Sequence, residues 1–263
     1  MRWLDALAHS AEPDGDVATL MAIAYEAANR SEFATALALW GPLAEAGIAR
    51  AQNNFGACFA EGLGVERDPM LALRWLTLAA EAGDPVGQRN LASVFLKGEG
   101  VGQDGAQAAT LFRFAAEQGD GPAQDMLSRM LLDGAHIPVN VVEALRWAMA
   151  AAEHGIAAAM TRIGMLYHDA RGVERDPAEA AHWWRRAAAR GDADGQAMLG
   201  EALARGAGVA RDPVAALAWL LRAPAGGSAL AAAFLGPAHA ALDSAGIAEA
   251  ERRAAAPLAG LAP

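Results

Sequence analysis

The sequence predicts an all-α solenoid of stacked helical hairpins, and three observations carry that prediction. Six glycines stand 36 residues apart, at Gly47, Gly83, Gly119, Gly155, Gly191 and Gly227. Glycine fills only 28 of 263 positions, too few to build such a comb by composition. Two further columns keep the period: Val65, Val101, Ile137, Val173 and Val209, and Asp68, Asp104, Asn140, Asp176 and Asp212. A third, Trp75, Leu111, Trp147, Trp183 and Trp219, is aromatic at four of its five positions. Self-similarity at a fixed period of this size marks a stack of identical supersecondary units.

At the front, Met1–Ser10 carries Trp3, Leu4 and Leu7 on one side and reads as a capping helix, followed by a Pro13-Asp14-Gly15 turn. Leu20–Gly47 is a degenerate first unit, with Tyr25 at the position of Phe59 and Ala36 at that of Ala72. Its turn is about two residues shorter than in later units. In the type unit, residues 48–83, the apolar positions Ala51, Phe55, Cys58 and Phe59 recur at helical spacing. Gly56 lies on the same face, with Ala92, Ser128, Gly164 and Gly200 as equivalents. A glycine inside a helix costs about 1 kcal/mol, so a small residue there signals close approach of a partner helix. Gly62-Leu63-Gly64-Val65 is a turn, and Asp68-Pro69 opens the second helix with an N-cap carboxylate and a proline that forfeits no needed donor.

The second helix buries Ala72, Trp75, Leu76, Ala79 and Ala80 and stops at Gly83, a left-handed end. Each unit is therefore helix, seven-residue turn, helix, tight turn. One turn is irregular: His136 replaces the glycine of the others, which predicts a different backbone path there. At the far end Phe234, Leu235 and Gly236 still match first-helix columns. Ile247–Ala256, with Glu249, Glu251, Arg252 and Arg253, reads as a polar capping helix. The organisation expected is a cap over 1–16, about six repeats over 17–240, and a cap and tail over 241–263.

Leu199-Gly200, Gly206-Ala207-Gly208-Val209, Asp212, Ala216 and Trp219 resemble the Sel1-like repeat (SLR), a branch of the tetratricopeptide-repeat superfamily. So do Ile163-Gly164, Tyr167, Gly172-Val173, Asp176, Ala180, Trp183-Trp184, Ala187-Ala188 and Gly191. The resemblance covers about residues 17–236. It implies an α/α right-handed superhelix that binds other proteins, often as an adaptor in bacterial signalling, envelope or localisation pathways.

Composition narrows the function classes. A formal net charge of −10 argues against a nucleic-acid partner, which would need clustered Lys and Arg. Arg185-Arg186 with Arg190 reads as a solvated face. The hydrophobic content of 54% is largely alanine, suited to tight helix packing. The longest apolar stretch, Val214–Leu242, is broken by Arg222, Pro224, Gly226-Gly227 and Pro237. Neither a membrane span nor a secretory signal is expected, and the cytoplasm is the expected compartment. The single cysteine, Cys58, excludes an intramolecular disulfide framework and falls in an apolar column, as a buried hydrophobe rather than a nucleophile.

Apparent catalytic motifs dissolve into the repeat. Gly100-Val101-Gly102-Gln103-Asp104-Gly105 fits a dinucleotide fingerprint, but that motif works only between a strand and a helix; here a helix precedes it. His9, His136, His154, His168, His182 and His239 form no ligand set, and no paired spacing suits zinc. No cofactor, metal or catalytic residue is assigned.

By analogy with tetratricopeptide domains, the first helices line the concave side, and the columns of Arg50, Asn53, Ala57, Ala60 and Glu61 form a groove. Down the stack these give Arg89, Ser93, Leu96 and Lys97, then Asp125, Arg129, Leu132 and Asp133. Thr161, Met165, His168 and Asp169 follow, and then Asp194, Glu201 and Arg205. These positions vary between units while core columns repeat, as interchangeable scaffolds with a non-identical binding face would. The expectation is a non-catalytic protein-interaction scaffold, monomeric, binding a peptide or helix with acidic and apolar anchors. Two alternatives stay open: a hydrolase acting on cell-wall or β-lactam-type substrates, and a structural protein that assembles end to end.

Overall fold

The hydrophobic period of each unit is realised as a helical hairpin. The structure, a computed structural model, describes residues 16–258; the expected front cap with its Pro13-Asp14-Gly15 turn and His9 lies outside them. Fourteen α-helices and one short 3-10 turn make up the described residues, without a strand. The first hairpin is α1 (Val17–Asn29) and α2 (Phe33–Glu45), the second α3 (Ala49–Glu61) and α4 (Pro69–Glu81), the third α5 (Pro85–Lys97) and α6 (Gly105–Glu117). Next come α7 (Gly121–Asp133) with α8 (Val141–Glu153), α9 (Ala157–His168) with α10 (Pro177–Ala188), and α11 (Ala193–Arg205) with α12 (Pro213–Arg222). The 3-10 turn Ala223–Gly226, α13 (Ala231–Ala240) and α14 (Ser244–Ala255) end the described chain. No helix among the described residues is long and apolar enough to cross a membrane.

The chain divides into two compact units, Met1–Met130 with Ala135–Ile137 and Leu131–Gly134 with Pro138–Pro263. In the first, Phe55 stands edge-on to Phe59 at 5.2 Å and to Trp75 at 5.4 Å. In the second, Trp184 is 1% exposed and packs among Ala180, Ala188, Leu199 and Ala202. The small-residue column does what close approach requires: a Cβ on Gly56 would meet Trp75 Cβ at 3.0 Å, on Gly164 the Trp184 indole nitrogen at 2.4 Å, and on Gly200 Leu220 Cγ at 2.7 Å.

The tryptophan column is shallower than the sequence suggests. Trp75 and Trp147 are buried, but Leu111, Trp183 and Trp219 are half-buried. The next residue along lies deeper: Leu76, Phe112, Ala148, Trp184 and Leu220 are at 0–1% exposure. One step along a helix turns the side chain by about 100°, so one of two neighbouring large residues faces the partner helix and the other flanks it. On that flank guanidinium groups cover the indoles: Arg186 lies 4.2 Å from the Trp183 centroid and Arg146 4.8 Å from Trp147.

The turns are closed by repeated bonds. The comb glycines all take positive φ, from +81° at Gly155 to +90° at Gly227. At Gly83 the N–H donates to Ala80 O and the next N–H, of Asp84, to Ala79 O, both at 3.0 Å; this is the Schellman pattern. In each seven-residue turn the cap residue of the second helix donates back to the first helix, as in Asp68 N–H to Phe59 O at 3.0 Å and Asp212 N–H to Leu203 O at 3.0 Å. The cap carboxylates accept as expected: Asp68 from Met70 and Leu71, Asp176 from Ala178 and Glu179, Asp212 from Ala215.

The first hairpin departs from expectation. Only residues 30–32 join α1 to α2, four fewer than the seven of 62–68, and Ser31 takes φ +62° to make that turn. The shorter link moves Tyr25 out of the column of buried Phe59. Tyr25 is 38% exposed, its ring edge-on to Trp40 at 5.9 Å, while Ala24 and Ala27 are fully buried.

The irregular turn at His136 is a reciprocal exchange. Gly64, Gly100, Gly172 and Gly208 each take positive φ and press against the first residue of the preceding unit's second helix: Phe33, Pro69, Val141 and Pro177. At the fifth position His136 is absent from the positive-φ residues, so the path does differ there. The glycine has instead moved to the helix: a Cβ on Gly105 would lie 2.2 Å from His136 Cγ. Gly134 keeps φ +67° and Asn140 N–H still donates to Leu131 O at 3.0 Å, so the irregularity is confined.

Two predictions follow from these turns. Gly105→Pro is expected to destabilise alone and to be rescued by His136→Gly, with a coupling of about 1–3 kcal/mol in a urea-unfolding cycle. Ala170, at φ +55°, occupies the column of left-handed Gly62, Gly98, Gly134 and Gly206. Ala170→Gly should therefore raise stability by about 1 kcal/mol, read as a higher denaturation midpoint.

Candidate functional site

The surface of the first helices separates into two kinds of column. The inner ones, at Arg50 and Asn53 and their equivalents, fasten one hairpin to the next. Arg50 Nε donates to Asp84 Oδ1 at 2.7 Å, and Arg89 Nη1 to both Asp120 oxygens at 2.7 and 3.0 Å. Thr161 Oγ1 donates to Asp192 Oδ1 at 2.6 Å, and Ser228 Oγ to Asp194 Oδ1 at 2.7 Å. Asp84, Asp120 and Asp192 are also N-caps, accepting from Gly87, Ala123 and Gly195 N–H. Each of these three carboxylates thus starts its own helix and grips the first helix of the preceding hairpin. The Asp84 hydrogen bond holds the Arg50 guanidinium above its ordinary pKa, with the nearby Tyr25 hydroxyl adding to it. Asp84 and Asp120 side chains are only 5% and 6% exposed, so removing a partner would leave a buried charge, a loss of about 3–5 kcal/mol for a fully buried pair and less here because the arginines reach solvent.

Six of the groove residues read from the sequence belong to these inner columns: Arg50 and Asp194, bonded as above, and Asn53, Arg89, Asp125 and Thr161. Asn53 is 2% exposed and accepts from Asn90 Nδ2 at 2.8 Å; Thr161 is 5% exposed. Arg89 is held by Asp120, and Asp125 shares their column and is half-buried. Periodicity alone does not separate a fastener from a free surface group, because both vary between units.

Two more fastenings went unread. Gln52, Gln88, Gln124 and Gln196 stand on the 36-residue period, and each Nε2 donates to a carbonyl near the end of the preceding second helix: Ala44, Ala80, Ala116 and Ala188, at 3.1–3.4 Å. In the fifth place Met160 is fully buried. Arg67, Gln103, Arg175 and Arg211 likewise donate to the carbonyl seven residues earlier, at Ala60, Leu96, His168 and Ala204. The glutamine comb was as visible as the glycine comb; it lacked only a reason to be sought, since glutamine usually marks a solvated position.

The outer columns, of Ala57, Ala60 and Glu61, line hollows between successive first helices. In the first unit a hollow of about 200 Å³ is bounded by Ala57, Ala60 and Glu61 of α3, Leu76 of α4, and Asn90, Ser93, Val94 and Lys97 of α5. In the second unit one of about 360 Å³ is bounded by Glu201, Ala204 and Arg205 of α11, Leu220 of α12, and Phe234, Pro237, Ala238 and Ala241 about α13. Position by position these are the same site, four periods apart. They differ at equivalent positions: the first has Asn90, Ser93 and Lys97 where the second has Phe234, Pro237 and Ala241. Ser93 Oγ donates to Arg89 O at 3.1 Å, and Glu201 and Arg205 pair at 2.5 Å beside the second.

The remaining expected residues lie in the same outer columns. Arg129 and Asp133 are exposed on α7, and Met165 is 36% exposed on α9. His168 Nδ1 lies 2.8 Å from Asp169 Oδ1, its ring 5.6 Å from that of Trp184. Cys58 is 2% exposed, and burial pushes its thiol up to about 11. A thiol so placed is a poor source of thiolate. Among the described residues no group of three or more His, Cys, Asp or Glu is placed to hold a metal ion.

The Sel1 repeat family model matches residues 49–84, 85–120, 121–156, 157–192 and 193–228, the five hairpins from α3–α4 to α11–α12. A solved Sel1 repeat protein from Oxalobacter formigenes is 30% identical, with a TM-score of 0.73 over 79% of this chain and 86% of that one. A protective antigen of uropathogenic Escherichia coli that displays an SLR fold is 23% identical, with a TM-score of 0.52 over 96% of this chain and 70% of that one. No curated protein sequence matches the chain. Five consecutive matched repeats, each one hairpin of the fold just described, show that the chain belongs to the Sel1 repeat family.

Proposed function

We propose that this chain is a non-catalytic adaptor that holds a partner peptide along the outer columns of its first helices. The repeats extend over 17–240 between a cap at 1–16 and a cap and tail at 241–263. Sel1 repeats generally serve as protein–protein interaction modules, and the single observation that supports this reading here is the recurrence of one hollow, four periods apart, with different side chains at its equivalent positions. The hollow edged by Asn90, Ser93 and Lys97 suits a hydrogen-bonding or acidic side chain. The one edged by Phe234, Pro237 and Ala241 suits an aliphatic or aromatic one. Arg129, Asp133, Met165, His168 and Asp169 continue the same columns. Asn53, Arg89, Asp125 and Thr161 serve the partner indirectly, by fixing the spacing of the helices that carry the outer columns.

A peptide in such a site draws most of its affinity from a few anchors, arginine and apolar groups foremost. The adaptor reading places the chain in bacterial signalling, envelope or localisation pathways and has it act as a monomer.

The test is affinity capture from the native host with two variants. Lys97→Glu combined with Arg129→Glu and Met165→Ala should lose the partner, with Tm within about 2 °C of wild type, since exposed substitutions rarely exceed about 0.5 kcal/mol. Arg89→Ala should lower Tm clearly. Retention of every captured protein by the triple variant would contradict the proposal.

A further inference from the structure

The last first-helix of the stack, α13, presents a face that its counterparts bury. In α11 the positions Ala197, Gly200 and Leu203 are buried against residues of α12. One period later Ala233, Gly236 and His239 are exposed. The small-residue column makes the contrast sharpest. At Gly56, Gly164 and Gly200 an added Cβ would strike a large side chain of the second helix within 3.0 Å; at Gly236 nothing among the described residues lies within 4 Å.

The helix that follows does not fill this place. α14 packs chiefly on α12, burying Ala250 in the cluster with Leu217 and Leu220. Its end is tied there: the Arg222 guanidinium donates to the carbonyls of Arg253 and of Ala256. The seventh hairpin is therefore a half-hairpin, a first helix without its second. α13 itself carries no Asp, Glu, Lys or Arg.

We infer that α13 is a docking face for an amphipathic helix of a partner protein, one that takes the place a second helix holds in the other hairpins. The molecule itself supplies the templates for what sits there. Trp184 seats on Gly164, flanked at four-residue spacing by buried Ala180 and Ala188; Leu220 seats on Gly200, preceded by buried Ala216. The complementary helix therefore bears one leucine or tryptophan between alanines four residues to either side. This is recognition by an apolar helix face laid in a groove, on a surface separate from the outer columns.

The experiment titrates the full chain into a labelled synthetic peptide of its own residues 176–191, which span α10. Saturable binding is expected by fluorescence anisotropy. It should weaken at least tenfold with Gly236→Leu in the protein or with the Trp184→Ala peptide. Gly236→Leu should not lower Tm, and Lys97→Glu with Arg129→Glu should leave this binding unchanged, which separates it from the peptide site proposed above. Absence of saturable binding, or equal binding to Gly236→Leu, would overturn the inference. So would a Tm loss of several degrees in Gly236→Leu, which would mean that the chain covers the face itself. Concentration-dependent self-association abolished by Gly236→Leu would place a second copy there instead, and would overturn it equally.

Discussion

Close approach of two helices at one small residue governs this molecule. In three hairpins the second helix crosses the first at a glycine, Gly56, Gly164 or Gly200, and the large side chain set against it there, Leu76, Trp184 or Leu220, is at most 1% exposed. A hairpin of about 36 residues buries one stripe this way and leaves another open, which the next hairpin must cover. Alanine dominates both stripes because short side chains let helices approach; dispersion contacts at that distance, individually tiny, are collectively large.

Once apolar stripes are matched, polar groups set the spacing. The aspartates at 84, 120 and 192 cap one first helix and grip the first helix of the hairpin before it, and the glutamines at 52, 88, 124 and 196 bind carbonyls of the preceding second helix. A groove built on such fastenings is pre-organised, and pre-organisation is where an adaptor gains affinity, because less order remains to be imposed on binding. The inner columns thus serve the outer ones, which is why one scaffold can present Ser93 and Lys97 at one hollow and Pro237 and Ala241 at its equivalent.

Much of this was legible in the sequence. The helices, both kinds of turn, the capping aspartates and the reason for the glycines follow from period and local chemistry. Depth within a column was not: Trp183 and Trp184 are adjacent and equally hydrophobic, and only the crossing geometry decides that Trp184 faces the core. The division of the groove into fasteners and free positions was hidden for a similar reason. Arg89 reads as a surface arginine until Asp120, 31 residues on, is seen within 3.0 Å of it. Even the exchange of His136 with Gly105 required two columns to be compared across a unit boundary. The first hairpin misled because a link four residues shorter rotates Tyr25 away from the position of Phe59.

The claim beneath all of this is that the hairpin, rather than the helix, is the unit of stability, and that hairpins shelter one another. It is tested most directly by comparing the unfolding of two deletions in denaturant. Removing residues 85–120, one period, should leave a helical protein with a single cooperative transition and a smaller denaturant slope, as less surface is exposed on unfolding. Removing residues 85–102, half a period, should abolish the cooperative transition, because α6 loses the helix it packs on. If both deletions unfold alike, with the same cooperativity and midpoint, the account is wrong.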